Sequence, residues 1–88
     1  MSAFSLIVSS PDGNLFAGEC EKLDVLGSEG SLAVMAGHIP FVTSVKKGPC
    51  ILHLPDGSVL KAHSQGGLLS VGREQVTFLS GTFTICDE

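Results

Sequence analysis

The chain has 88 residues, enough for one domain; 43% are hydrophobic and 16% charged, which excludes a disordered tail. Five basic residues (Lys22, Lys46, Lys47, Lys61, Arg73) against nine acidic ones give a net charge of −4, leaving no basic stripe for a nucleic acid to follow. Eleven glycines and four prolines interrupt the chain too often for a membrane-spanning helix of roughly 20 apolar residues, and favour short strands joined by turns.

Phe4, Leu6 and Val8 alternate with serines, the pattern of a half-buried strand. Pro11-Asp12-Gly13 supplies turn chemistry. From Leu15 to Leu26 the apolar phase slips by one residue: Cys20 lies on the face opposite Glu19 and Glu21, but Leu23 and Val25 follow out of step. A one-residue β-bulge near Glu21-Lys22 accounts for the slip. Gly27-Ser28-Glu29-Gly30 is a turn, Ser31–Met35 a short strand, and Ala36-Gly37-His38-Ile39-Pro40 a second break. Phe41–Val45 is a strand ended by Lys46-Lys47-Gly48-Pro49. Ile51–Leu54 and Ser58–His63 flank Pro55-Asp56-Gly57, the clearest hairpin in the chain. Leu68–Val71 and Val76–Leu79 close the regular part. Strands recurring every ~8–12 residues predict an all-β fold, an antiparallel sandwich or barrel.

Three cysteines (Cys20, Cys50, Cys86) at wide spacing do not make a disulfide framework and fit a reducing compartment. Met1-Ser2-Ala3-Phe4 lacks the cationic start of a signal peptide, and a cytosolic location is expected. The cysteines and the three histidines lack metal-ligand spacing, so no metal site is expected. With Asp56-Gly57 as a two-residue loop, Cys50 falls opposite His63. A thiol packed against an imidazole is the plainer reading of that pair, and a Cys–His nucleophile the sharper one. No Gly-x-Ser-x-Gly elbow is present, and no third group orients the histidine. Gly66-Gly67 and Gly27-x-x-Gly30 lack the helix and lysine of a phosphate cradle and read as turn glycines. A swinging-arm carrier domain would need a lysine at the hairpin tip, where this chain has Pro-Asp-Gly. Two loops, 28–32 and 37–41, carry more apolar and glycine content than a solvated turn requires, and read either as a docking surface or as ordinary turns.

Glu21-Lys22-Leu23, Gly27-Ser28-Glu29-Gly30-Ser31-Leu32, Gly37-His38-Ile39-Pro40-Phe41 and Gly66-Gly67-Leu68-Leu69-Ser70-Val71 together resemble the epsilon subunit of bacterial F-type ATP synthase, from Phe4 to about Thr84. The resemblance implies a β-sandwich of about ten strands in residues 1–84, with 85–88 a short tail. It implies a non-catalytic subunit of the rotor's central stalk, without a cofactor, that docks on the gamma subunit and the c-ring. There it couples proton translocation to ATP synthesis at the cytoplasmic face of the bacterial plasma membrane. By the same likeness, Glu29, Gly30 and Ser31 fall on the loop that faces the c-ring, and Ser10, His38 and Thr43 fall where the family meets gamma. Ser31 stands where some relatives carry an acidic residue. The helical hairpin that usually follows in the family would begin near Ile85-Cys86-Asp87, so neither its inhibitory role nor nucleotide binding carries over. The alternative is a stand-alone β-sandwich binding module; a small Cys/His hydrolase is more remote.

Overall fold

The computed structural model describes residues 3–37, 39–73 and 75–86. Ten strands follow in chain order: β1 Phe4–Ser10, β2 Gly13–Cys20, β3 Lys22–Gly27, β4 Gly30–Met35, β5 Phe41–Val45, β6 Gly48–His53, β7 Val59–Ser64, β8 Gly67–Val71, β9 Gln75–Ser80 and β10 Phe83–Cys86. They hydrogen-bond in the order β10-β7-β6-β3-β5-β8-β9-β1-β2, with β4 on the free side of β3. All pairs are antiparallel except β1 with β9, which run parallel.

The path folds over where pairing is thinnest, at the single bridge Gly27↔Val45. On one side lie β10-β7-β6-β3-β4, on the other β5-β8-β9-β1-β2. Alternate residues of both layers point inward and meet in one core, including Leu6 and Val8 of β1, Leu23 of β3, Val34 of β4, Leu52 of β6, Leu69 of β8 and Phe78 of β9. Burying each such side chain contributes about 1.5–3 kcal/mol, the main stabilising force in a domain of this size. The two ends of the path meet through aromatic rings: Phe83 of β10 lies 6.4 Å from Phe16 of β2 and 6.3 Å, edge-on, from Phe78.

The phase slip between Cys20 and Leu23 is real: both are buried although three residues apart. Its cause is a change of layer and not a bulge within one strand. β2 ends at Cys20, and after Glu21, whose N–H donates to the His53 carbonyl (2.7 Å), the chain continues as β3 against β6. The bulge in this region lies elsewhere: Val8 pairs with Phe16 and Ser9 with Asn14, leaving Leu15 as the extra residue.

The 54–58 hairpin turns on a three-residue loop and not a two-residue one. Gly57 N–H donates to the Leu54 carbonyl (3.0 Å) and Leu54 N–H to the Ser58 carbonyl (2.9 Å), with Gly57 at φ +93°. This is a tight turn followed by a glycine bulge. The odd loop moves the register by one, so Cys50 faces Ala62 and His63 faces Pro49. Cys50 is buried and His63 exposed, which corrects the expected Cys50–His63 pairing. β10, the tenth strand, was not legible as regular structure in the sequence; it pairs with β7 from Phe83↔Ser64 to Cys86↔Lys61.

Candidate interaction surfaces

The Cys–His nucleophile loses its geometry with that register. Cys50 instead donates its thiol toward Ser64 Oγ (3.9 Å) inside the sandwich, and burial pushes its pKa up, against a smaller lowering by that hydrogen bond. Burial alone pushes Cys20 up to about 11. Both are therefore neutral, packed thiols, the opposite of an activated nucleophile. His53 points to the other side of the sheet, where its Nε2 lies 2.9 Å from Asp24 Oδ2. Among the described residues no three His, Cys, Asp or Glu side chains gather in a way that could hold a metal ion.

What remains is surface. The β3–β4 hairpin folds on Gly27↔Gly30, with Gly30 at φ +127°, a conformation L-residues with a Cβ rarely adopt. Its turn lies against β5 because Lys46 N–H donates to the Leu26 carbonyl (2.8 Å) beside the Gly27↔Val45 bridge. Thus Glu29, Gly30, Ser31 and Thr43 line one groove of about 350 Å³, together with Gly27, Ser28 and Leu32. Residues that the family resemblance divides between two partners share this one corner.

Ser10 lies apart from that corner. It ends β1, three strand spacings from β5 across β9 and β8, about 14 Å. It lines a separate, mostly apolar groove with Pro11, Gly66, Gly67, Leu79 and Ser80. Its hydroxyl caps the turn, accepting from Asp12 N–H (3.2 Å) and donating to the Gly13 carbonyl (3.2 Å). His38 lies outside the described residues. Gly66 and Gly67 exceed their reading as turn glycines. A Cβ on Gly66 would meet the Val45 carbonyl oxygen at 2.6 Å, and one on Gly67 would overlap the Leu79 carbonyl. The backbones of β5, β8 and β9 pack at contact distance there. Ser80 Oγ closes the corner, 2.9 Å from the Gly66 carbonyl and 2.7 Å from that of Thr82.

The outward positions of the two layers differ in kind. On β3, β6 and β7 they carry the charged or titratable Lys22, Asp24, His53, Lys61 and His63 interspersed with Leu26, Pro49, Ile51 and Val59. On β5, β8, β9, β1 and β2 they carry Val42, Ser44, Leu68, Ser70, Thr77, Leu79, Ile7, Ser9 and Ala17, and the one charge among the described outward positions is Glu19 on the outermost strand. Sequence reasoning missed this face. Its signal, Ser/Thr alternating with aliphatics and without Lys or Glu, was present in each strand, but only the pairing order shows that those strands share a layer.

Comparison with known proteins gives this architecture a family. The ATP synthase, Delta/Epsilon chain, beta-sandwich domain family matches residues 3–85. The chain is 35% identical over 82 residues to the ATP synthase epsilon chain of Psychrobacter sp. (strain PRwf-1), covering 93% of this chain and 59% of that relative. It is 37% identical over 78 residues to the ATP synthase epsilon chain of Caulobacter vibrioides, covering 88% and 86% respectively. Among solved structures, a chain of the Euglena gracilis mitochondrial ATP synthase superposes with a TM-score of 0.89 at 17% identity, over 97% of this chain and 54% of that one. A chain from the Tetrahymena thermophila mitochondrial ATP synthase, in a structure of its central stalk and c-ring, gives 0.73 at 11%, over 91% and 64%. The two structures establish a shared fold, and the family match together with the two sequence relatives establishes descent: this chain belongs to the ATP synthase delta/epsilon family, as its β-sandwich domain.

Proposed function

We propose that the chain is a non-catalytic central-stalk subunit of an F-type ATP synthase, joining the gamma subunit to the c-ring and helping couple proton translocation to ATP synthesis. The observation that carries this reading is the family match over residues 3–85, joined by 35–37% identity to two bacterial epsilon chains. In this role the 29–31 turn meets the polar loops of the ring, and Ser10, His38 and Thr43 meet gamma. The corner shared by Glu29, Gly30, Ser31 and Thr43 supports a junction at which both partners converge. The chain then sits peripherally at the cytoplasmic face of the membrane, held by the complex.

A rotor joint transmits torque, and broad rigid contact suits that task better than a few mobile charges. The glycine-fixed turn and the closely packed Gly66–Gly67 corner are rigid in this sense. The test is co-purification: tagged chain expressed with the gamma subunit of the same synthase retains gamma on the affinity column. Elution of the chain without gamma, at micromolar concentrations of both, overturns the reading in favour of a stand-alone binding module.

A further inference from the structure

We propose that Asp12 is a covalent modification site, closing onto the Gly13 nitrogen to become isoaspartate, while the fold protects Asp56 in an identical tripeptide. Pro-Asp-Gly occurs twice, at 11–13 and at 55–57, each time at the tip of a hairpin. In both the aspartate is exposed and the glycine has positive φ, +132° at Gly13 and +93° at Gly57. A Cβ at either glycine would meet nothing within 4 Å, so both tips stand open to solvent. Both glycines are also tied into their turns: Gly57 N–H donates to the Leu54 carbonyl and Gly13 pairs with Ser10. A glycine after the aspartate has no side chain to shield its nitrogen, and the two tips share that freedom.

The carboxyls differ. Asp56 Oδ1 accepts from the Ser58 N–H (2.9 Å) and from the Ser58 hydroxyl (2.5 Å). The Asp12 carboxyl has no hydrogen-bond or ionic partner among the described residues. The serine of its turn, Ser10, is engaged with main chain, at Asp12 N–H and the Gly13 carbonyl. Asn14, in the place that Ser58 takes at the other tip, accepts from Ser9 Oγ instead (2.9 Å). No such bond holds the Asp12 side chain away from the nitrogen that follows it.

The Gly13 nitrogen attacks the side-chain carbonyl carbon of the protonated Asp12 carboxyl. A C–N bond forms, the C–O bond to the hydroxyl breaks, and the hydroxyl leaves with the amide proton as water. The resulting five-membered imide takes one water back. Addition at the side-chain carbonyl restores aspartate; addition at the main-chain carbonyl routes the backbone through Cβ and leaves the α-carboxylate as the side group. Water is the sole co-reactant, nothing is oxidised or reduced, and the mass is unchanged. The backbone gains a methylene within the two-residue turn closed by Ser10↔Gly13. The freed α-carboxylate is the group that an isoaspartyl carboxyl methyltransferase esterifies, taking the methyl from a sulfonium donor. At Asp56 the same closure must first break both bonds from Ser58, which slows it by a factor of at least about ten. Those bonds also favour the ionised carboxylate, lowering its pKa and thinning the acid form that closure consumes.

The full chain, aged at mildly acidic pH both folded and unfolded in urea, tests the assignment. Tryptic peptides ending at Lys22 and Lys61 carry one aspartate each, Asp12 and Asp56. Isoaspartate is read in each as a shifted elution at unchanged mass, and as methyl acceptance from the methyltransferase. Each site's rate in the fold is divided by its own rate in urea, which cancels the difference between Asn14 and Ser58 as flanking residues. The ratio for Asp12 exceeds that for Asp56 at least about tenfold. Ser58→Ala speeds the Asp56 reaction in the folded protein at least about threefold, since one of the two bonds is gone. Asp12→Glu, whose imide would need a slower-closing six-membered ring, removes methyl acceptance from the Lys22 peptide; circular dichroism checks that both variants are folded. Equal ratios at the two sites, or a larger one at Asp56, overturn the proposal. So does an Asp12 that stays intact in the fold for as long as urea takes to convert it.

Discussion

The inner faces of the two layers are alike, both built from Leu, Val, Phe and Cys at alternate positions, whereas the outer faces are not. One mixes Lys22, Asp24, His53, Lys61 and His63 with Leu26, Ile51 and Val59; the other is serine, threonine and aliphatic side chains with a single charge at its rim. Folding demands the inner similarity, because each layer buries its apolar face against the other. It makes no such demand outside, where a solvated sheet face is free to carry charge.

Five substitutions, in four experiments, probe that contrast. The largest effect falls within the uncharged layer, at Gly67→Ala. The new methyl group collides with the Leu79 carbonyl and forces β8 from β9, costing about 3 kcal/mol or more, read by urea unfolding followed by far-UV circular dichroism. Retention of wild-type stability would show that the two strands can separate without penalty. Next is the seam between the layers: Phe83→Ala removes the ring that meets Phe16 and Phe78 and costs about 2–3 kcal/mol, a little less than a fully enclosed Phe because Phe83 is half-buried. A cost below about 1 kcal/mol would mean the layers hold together without their aromatic closure.

A third experiment sets one face against the other. On the proposed central-stalk reading, with gamma against the uncharged layer, Ser70→Asp puts a charge in that layer and weakens gamma binding at least about tenfold with stability unchanged. Asp24→Ala on the charged layer removes the partner of His53 and leaves gamma binding untouched. Both groups of that pair are a third or more exposed, so its loss costs only about 0.5 kcal/mol. Equal effects of the two substitutions on binding would erase the distinction between the faces. The smallest effect is a pH dependence at the hairpin tip. Ser58, through its backbone N–H and hydroxyl, holds the Asp56 carboxyl below the ordinary carboxylate range. A lowered folded-state pKa contributes stability above the unfolded value near ~3.9, lost as pH falls through the folded one. The stability difference between wild type and Asp56→Ala, followed by thermal unfolding, therefore shrinks on acidification below about pH 4. A difference constant from pH 7 to pH 2 would show that the carboxylate is not what Ser58 holds.

Eight runs could be located from alternation and turn residues, because those signals are local; one of them, Leu15–Leu26, proved to be two strands, and β10 was not among them. The errors arose where one residue of parity decides a whole face. Pro55-Asp56-Gly57 contains an Asp-Gly pair that suits a two-residue turn, but Leu54 and Ser58 close a loop of three, and Cys50 and His63 part company. The slip at Cys20–Leu23 was visible, but a bulge and a change of layer leave the same mark on the sequence, and only the pairing of β3 with β6 separates them. β10 is four residues long, too short for alternation to stand out. The corner joining Glu29 to Thr43 depends on Gly27↔Val45, a contact between residues 18 apart that no local pattern encodes.

Four short stretches of backbone pass directly from one layer to the other: Glu21 between β2 and β3, Lys46-Lys47 between β5 and β6, Gln65-Gly66 between β7 and β8, and Gly81-Thr82 between β9 and β10. A sandwich whose layers touched only through side chains would shear when pushed along one face, since dispersion contacts slide cheaply. Here a sideways load on the serine-rich layer passes into the opposite layer along covalent chain, at four short connections. The load path runs through bonds that do not slip, so the two layers respond to such a load as one body.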